Sequence, residues 1–126
     1  MNRFAFSLTR FKLSRVAISW VFAHMSFLIP VKRLRETDTL MAFHHPQPSY
    51  PLHILLVPKQ PIASLLELQA QDSRFLSDLI ETVQSLVREY GLGDTGYRLI
   101  TNGGIYQELP HLHFHLVSGE PAPGSD

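Results

Sequence analysis

The 126-residue chain contains no cysteine, and this absence removes several kinds of chemistry at once. Disulfide bonds, thiolate catalysis, iron–sulfur clusters and cysteine-based zinc sites are all excluded. Charged residues make up only 17% of the chain and hydrophobic residues 44%, an ordinary balance for a globular protein. The length fits a single domain, and the lack of cysteine suits the reducing cytoplasm, which is the expected location.

The formal net charge is zero, but the two signs are unevenly distributed along the chain. Residues 1–40 hold seven Lys or Arg and two acidic residues, whereas the remainder holds four basic and nine acidic residues. A basic N-terminal arm can contact an anionic membrane surface or a nucleic acid. A solvated, partly self-neutralising surface is the simpler interpretation. We therefore expect no nucleic-acid partner and keep peripheral contact with a membrane surface as an alternative.

Long hydrophobic runs are absent as well. The apolar segment Val16–Ile29 has 14 residues, fewer than the roughly 20 that a membrane-spanning helix requires. Pro30 follows it and is expected to end a helix there. Residues 1–28 are therefore interpreted as a basic and apolar helical extension that packs against the domain.

The remaining pattern predicts several strands and one long helix. The helix is expected to start at Asp72 or Ser73, to bury one apolar face that includes Leu76 and Ile80, and to end at Gly91. Short connections between successive strands favour antiparallel pairing, so the fold class is α+β, an antiparallel sheet backed by the helix. The predicted strands lie within Arg33–Phe43 (two short strands around a turn), Leu52–Val57, Tyr97–Thr101 and Leu109–Ser118, and residues 120–126 are expected to form a flexible tail.

A histidine strand near the C-terminus is the most informative segment. His111, His113 and His115 alternate with three large apolar residues. Because alternate side chains of a strand point the same way, the imidazoles are expected on one face, about 6.7 Å apart, with the apolar side chains under the helix. Three histidines at strict period two are rarely a coincidence of composition, so a function is favoured.

Two chemistries can use such a row of imidazoles. Two strand histidines can share a metal ion, and His44 and His45 could complete the ligand set. Alternatively, a neutral imidazole can attack phosphorus while its neighbours stabilise the charge that develops on the phosphate oxygens. Asn102, with the two glycines after it, offers an amide and backbone N–H groups, and Gln107 and Glu108 can reach a leaving group. Phosphorus chemistry is favoured, and neither a metal nor a cofactor is expected.

Three segments together resemble the histidine-triad (HIT) family. His111–Val117 matches its signature of histidines alternating with apolar residues, and Pro51–Lys59 is similar to its second hallmark, a His followed by an apolar strand and Pro-Lys. Ile29–Lys32 and Leu40–Phe43 resemble the segment that opens the family domain. The resemblance covers residues 29–119, which are taken as the domain.

This resemblance implies a five-stranded antiparallel sheet with one long helix, usually paired into a homodimer. It implies hydrolysis or transfer at the α-phosphate of purine-type nucleotides, with nucleoside phosphoramidates or adenylylated molecules as substrates. By the same resemblance His113 is the nucleophile, His111 and His115 contact phosphate and support it, and His53 helps to fix the tautomers. Alternatives are a nucleotide-binding module with little turnover and a metal-dependent enzyme.

The resemblance also assigns the surrounding contacts. Asn102, Gln107 and Glu108 match positions that contact the phosphate and the leaving group, and Phe43 and His44 match positions that line the nucleoside pocket.

Two features depart from the family pattern. Family members usually carry an acidic residue two positions after Phe43 that contacts the ribose hydroxyls, whereas this chain has His45, which is also assigned to the nucleotide site. The turn from Asn102 to Gln107 is two residues shorter than the commonest form. Altered recognition of the ribose and the leaving group is therefore expected.

Overall fold

The computed structural model describes residues 32–124 and is built on one five-stranded sheet. All neighbouring strands are antiparallel and follow the order β1-β2-β3-β5-β4. The α+β class and the five-stranded sheet are thus confirmed, while the predicted helix within residues 1–28 and the last two residues of the tail lie outside the described residues. The strands are β1 (Arg33–Glu36), β2 (Leu40–His44), β3 (Leu52–Pro58), β4 (Arg98–Ile100) and β5 (Phe114–Ser118).

One long helix packs on the sheet. It is α1, Ser73–Glu89, and it stops before Gly91, whose φ of 64° is a left-handed conformation that glycine adopts without steric cost. A short helix, α2 (Leu92–Thr95), follows it. Within residues 32–124, no helix combines the length and the hydrophobicity needed to cross a bilayer. The described part of the chain also contains three single-turn 3-10 helices: Leu65–Glu67, Ala70–Asp72 and Gly104–Tyr106.

The hydrophobic core lies between α1 and one face of the sheet. The helix contributes residues spaced three or four apart, which form a single stripe. Full burial of a Leu, Val, Ile or Phe side chain contributes roughly 1.5–3 kcal/mol to the free energy of unfolding. Leu76 and Ile80, predicted on the same face, are instead 39% and 50% exposed, because they lie beside the stripe. The core includes Leu40, Ala42, Ile54, Leu56, Phe75, Leu79, Val83, Leu86, Leu112, Phe114 and Leu116.

Polar contacts fix α1 over the first two strands. The hydroxyl of Thr39 donates to the Asp78 carboxylate at 2.6 Å. The Arg35 guanidinium donates to the Ser85 hydroxyl at 3.1 Å and forms an ion pair with Glu89. The helix thus covers one face of the sheet, and two histidines lie on the other.

The last strand is shorter than the sequence predicts. It begins at Phe114, where Phe114 pairs with Leu56, instead of at Leu109. Continued pairing would bring Leu112 opposite Pro58, which has no N–H to extend the ladder. The N–H of Leu112 instead donates to the carbonyl of Ile62 in a loop. Only His115 of the three motif histidines is consequently within a strand.

The face of the sheet opposite α1 carries a second apolar group and two histidines. Met41, Phe43, Leu55 and Val57 form this group and are all buried. Because side chains alternate along a strand, the side chain of His53 points to the same face as those of Leu55 and Val57, two and four residues on in β3. This face bears the candidate site.

Candidate active site

Neighbouring strands bring two imidazoles into direct contact. In the β3–β5 pair, Leu55 lies opposite His115 and Val117 lies opposite His53, so the two histidines are diagonal neighbours. Their ring centroids are 5.1 Å apart, and Nε2 of His53 is 2.8 Å from Nδ1 of His115. One proton is therefore shared in a hydrogen bond between the two rings.

The protonation of this pair is fixed by a proline-rich loop. Between His45 and Tyr50, prolines at positions 46 and 48 lack an N–H, and the two N–H groups that do exist both face imidazoles. The N–H of Gln47 donates to Nδ1 of His45 at 2.9 Å, and that of Ser49 donates to Nδ1 of His53 at 3.0 Å. A backbone N–H can only donate, so each Nδ1 supplies a lone pair and each neutral ring carries its proton on Nε2.

This assignment extends to His115. Since Nε2 of His53 carries the proton, it donates to Nδ1 of His115. The remaining proton of neutral His115 is therefore on its Nε2. His53 thus orients His115 so that it presents a donor.

His113 has the opposite tautomer. Its Nδ1 is 2.8 Å from the backbone carbonyl oxygen of His111. A carbonyl oxygen can only accept, so Nδ1 of His113 carries the proton and Nε2 retains a lone pair. The ring is partly exposed and its centroid is 5.0 Å from that of His115. A ring with a free lone pair on Nε2 therefore neighbours the ring of His115, whose Nε2 carries a proton.

His111 is the most buried histidine of the motif, at 2% exposure. Its Nε2 donates to the carbonyl of Pro58 at 3.2 Å, at the end of β3. Burial lowers the pKa of His111, although its bond to the carbonyl acts in the opposite direction. The ring anchors the segment that carries His113.

His45 joins these residues although it lies on a loop. Its ring centroid is 4.3 Å from that of His53 and 6.2 Å from that of His115. The rings of His45 and His115 are nearly parallel, with an angle of 20° between their planes. His45, His53, His113 and His115 are called the imidazole cluster below.

Electrostatics keep much of the imidazole cluster neutral. Burial, together with repulsion from three neighbouring imidazoles, lowers the pKa of His115 to about 3. Burial and repulsion from His45 lower the pKa of His53 to about 4. The pKa of His45 is also lowered, by burial and by His113. At neutral pH these three rings are therefore uncharged donors, in agreement with their tautomers.

The same rings are the best candidate metal ligands. Ring nitrogens of His45, His53 and His115 all lie within 4.8 Å of one another, close enough to share one ion. Ligation through Nε2 requires a lone pair on that atom, which would move the proton to Nδ1. Both bonds donated by Gln47 and Ser49 would then be lost. The hydrogen bonds thus disfavour a metal at Nε2 of His45 and His53.

Comparisons with known proteins agree with this geometry. The family model for the HIT domain matches residues 27–122. The chain belongs to the HIT family. An uncharacterised HIT-like protein of Synechococcus elongatus is 42% identical over 93 residues, covering 72% of this chain and 81% of that protein.

Solved structures of HIT proteins share the fold. A HIT family hydrolase from Legionella pneumophila superposes with a TM-score of 0.71 and 30% identity, covering 82% of this chain and 91% of that one. A histidine triad nucleotide-binding protein from Candida albicans gives a TM-score of 0.69 and 26% identity, covering 87% of this chain and 80% of that one.

Other residues assigned by the HIT resemblance lie in different settings. The amide nitrogen of Gln107 donates to the carbonyls of Ala63 and Leu109, at 2.7 and 2.9 Å, so its donors hold two loops together.

His44 is exposed, and its ring contacts Tyr90, which follows α1 on the other side of the sheet. Phe43 is buried on the sheet face that bears the imidazole cluster, and Asn102 and Glu108 are exposed. Their roles in nucleotide binding stay predictions.

Sequence reasoning missed the groups that fix the tautomers. They are the N–H groups of Gln47 and Ser49 and the carbonyl groups of Pro58 and His111. The alternating prolines at 46 and 48 were the available signal, because they leave few N–H groups in the loop. Thr101 was also missed; its hydroxyl donates to the carbonyl of His113 at 2.9 Å.

Proposed function

We propose that the chain is a nucleotide hydrolase or transferase that reacts at an α-phosphate through a covalent intermediate on Nε2 of His113. The observation that carries this proposal is the bond from Nδ1 of His113 to the carbonyl of His111, since it leaves the lone pair on Nε2 of a partly exposed residue. The ring of His115, whose Nε2 carries its proton, lies 5.0 Å from that of His113 between centroids and can donate to a phosphate oxygen.

The reaction has two steps. Nε2 of His113 attacks the phosphorus, a P–N bond forms, and the leaving group departs with its bonding electron pair and is protonated by water. The modified imidazole is then positively charged, and its Nδ1–H remains bonded to the carbonyl of His111, which stabilises that charge. Water next attacks the phosphorus, the P–N electron pair returns to Nε2, and the proton of the water is released to solvent.

The substrate class is inferred from the family. The neighbours from Legionella pneumophila and Candida albicans are named a HIT family hydrolase and a histidine triad nucleotide-binding protein. We infer a purine-type nucleotide, either a phosphoramidate or an adenylylated molecule, as the substrate. No cofactor is required in this scheme, because every group that it uses is a side chain, a backbone group or water.

Covalent trapping tests the proposal. The chain is incubated with an adenosine phosphoramidate labelled at phosphorus, quenched in alkali, and searched for labelled protein by mass spectrometry. We expect one nucleotidyl group on His113 and steady release of AMP. Exhaustive EDTA treatment should leave the rate unchanged, since the imidazole supplies the nucleophile without an ion.

Three other results would point elsewhere. A large loss of rate in EDTA that zinc restores would favour the metal-dependent alternative. Tight nucleotide binding without release of AMP would favour the binding module. A label on a residue other than His113 would contradict the mechanism.

The homodimer implied by the family is a second proposal. Strand β4 is an edge strand, and Tyr97 before it and Leu99 within it are 49% and 38% exposed. Leu76 and Ile80 on α1 are also exposed. Unpaired strand edges and exposed apolar side chains are costly in a monomer, and a twofold dimer can cover both.

Sedimentation equilibrium tests the dimer. We expect the wild type to sediment at twice the 14.3 kDa chain mass and Leu99→Asp to shift it toward the monomer. Ala70→Asp, at an exposed position outside β4 and α1, serves as the control for added negative charge and should remain dimeric. A wild type that stays monomeric at high concentration would contradict the proposal.

Cellular placement also stays a proposal. We infer a cytoplasmic protein without a nucleic-acid partner, and membrane-surface contact through the basic N-terminal arm is the alternative, carried by residues outside the described range.

A further inference from the structure

His45 holds a hydrogen-bond donor that the proposed chemistry does not use. Its Nδ1 accepts from the N–H of Gln47, so the proton of the neutral ring is on Nε2. Among residues 32–124, that Nε2–H has no described partner, although the ring is partly buried. Partly buried donors usually have a partner, and a ligand can supply it.

The surroundings of His45 favour an anion. Its ring contacts are with His53 and His115, at 4.3 and 6.2 Å, and none of its described contacts is with a carboxylate. His115 also contacts His113, at 5.0 Å. The rings of His113, His115 and His45 therefore form a connected series that starts at the ring proposed to react.

This chain has His45 where the HIT pattern has an acidic residue, and the two side chains favour different ligand groups. An acidic side chain accepts hydrogen bonds from hydroxyl groups and repels phosphate. His45 cannot accept through Nδ1, which is already occupied, and it offers a donor through Nε2. Donors bind anionic oxygens more strongly than neutral ones.

We propose that His45 binds a second phosphate of the substrate, beyond the phosphate that reacts with His113. The substrates are then nucleotides with at least two phosphates, the second one either in the anhydride chain or on the ribose. This inference rests on the proposed nucleotide chemistry and specifies its substrate class.

Calorimetric titration of the full chain tests this assignment. The His113→Asn variant, which keeps ligands intact, is titrated in EDTA with AMP, ADP and an adenosine bisphosphate whose second phosphate is on the ribose. At least one two-phosphate ligand should bind about tenfold more tightly than AMP, the value of one hydrogen bond to a charged group. The ligand that shows the preference identifies the position of the second phosphate.

Variants at His45 provide the decisive comparison. His45→Asp, made in the same background, should remove the preference for a second phosphate while AMP affinity changes little. His45→Gln keeps a neutral N–H donor and should retain part of the preference. Gln84→Glu adds the same charge on the exposed side of α1 and should change nothing. Thermal unfolding confirms that each variant is folded.

Several results would overturn the assignment. Equal affinities for AMP and both two-phosphate ligands would contradict it, as would a preference that survives His45→Asp. A parallel titration with dAMP covers the remaining alternative: if His45→Asp only tightens AMP relative to dAMP, His45 lies at the ribose hydroxyls instead. A folded wild type that binds none of the nucleotides would contradict the proposed function itself, whereas AMP binding without the preference would contradict only the role of His45.

Discussion

Replacing His113 by Asn is expected to lower kcat by at least about 10³-fold while leaving nucleotide affinity within about tenfold of the wild type. The side chain of Asn is polar and smaller than imidazole, so it should be accommodated at this partly exposed position. Its amide nitrogen has no available lone pair, so the P–N bond cannot form. Single-turnover kinetics with an adenosine phosphoramidate and calorimetry with AMP measure the two effects separately.

The trapped species links this loss to the mechanism. Labelled nucleotidyl-protein should accumulate in the wild type and be absent from His113→Asn. Gln84→Glu, on the exposed side of α1, should keep both the label and the rate. An unchanged kcat in His113→Asn would contradict both the nucleophile and the assigned chemistry.

Acidification from pH 7 to pH 5 is expected to lower the free energy of unfolding by about 2–4 kcal/mol. His53 and His115 have folded-state pKa values of about 4 and about 3, below the value of 6.5 for an exposed histidine. In this pH range the unfolded chain therefore binds protons that the folded chain does not. The stabilisation is complete above pH 6.5 and is lost as the pH falls toward the folded-state values.

Denaturant unfolding monitored by circular dichroism measures this slope at each pH. His53→Gln removes one titrating ring and should flatten the slope, even if it also lowers stability at pH 7. Ordinary carboxylates titrate below this range and should contribute little between pH 5 and 7. Equal unfolding free energies at the two pH values would show that the rings are not held neutral by the fold.

The alternation of side chains along a strand predicted the core residues of the predicted last strand correctly. The alternation of Leu112, Phe114 and Leu116 placed them beneath the helix, and the structure confirms it. The helical spacing over-predicted burial at Leu76 and Ile80, because the sheet covers only a narrow stripe of α1. Periodicity shows which side a residue faces, but it does not give the width of the surface that covers it.

The candidate site could be predicted only in part. The residue types of the imidazole cluster were evident, but their tautomers were not, because the decisive partners are backbone groups. The carbonyl that anchors His111 belongs to Pro58, 53 residues earlier in the chain. The amide of Gln107, expected at the phosphate, is bonded to the carbonyl of Ala63, 44 residues away. Such contacts depend on the folded chain path and leave no local pattern.

The early stop of β5 has a consequence for reactivity. A carbonyl within an antiparallel ladder is engaged by the N–H of the adjacent strand. The carbonyls of His111 and His113 precede the first ladder pair at Phe114, and they accept from a ring nitrogen and from the hydroxyl of Thr101 instead. If the ladder reached His111, a strand N–H would compete for that oxygen, and the proton of His113 could move from Nδ1 to Nε2. The point at which hydrogen bonding between two strands ceases therefore selects which nitrogen of His113 keeps a free lone pair.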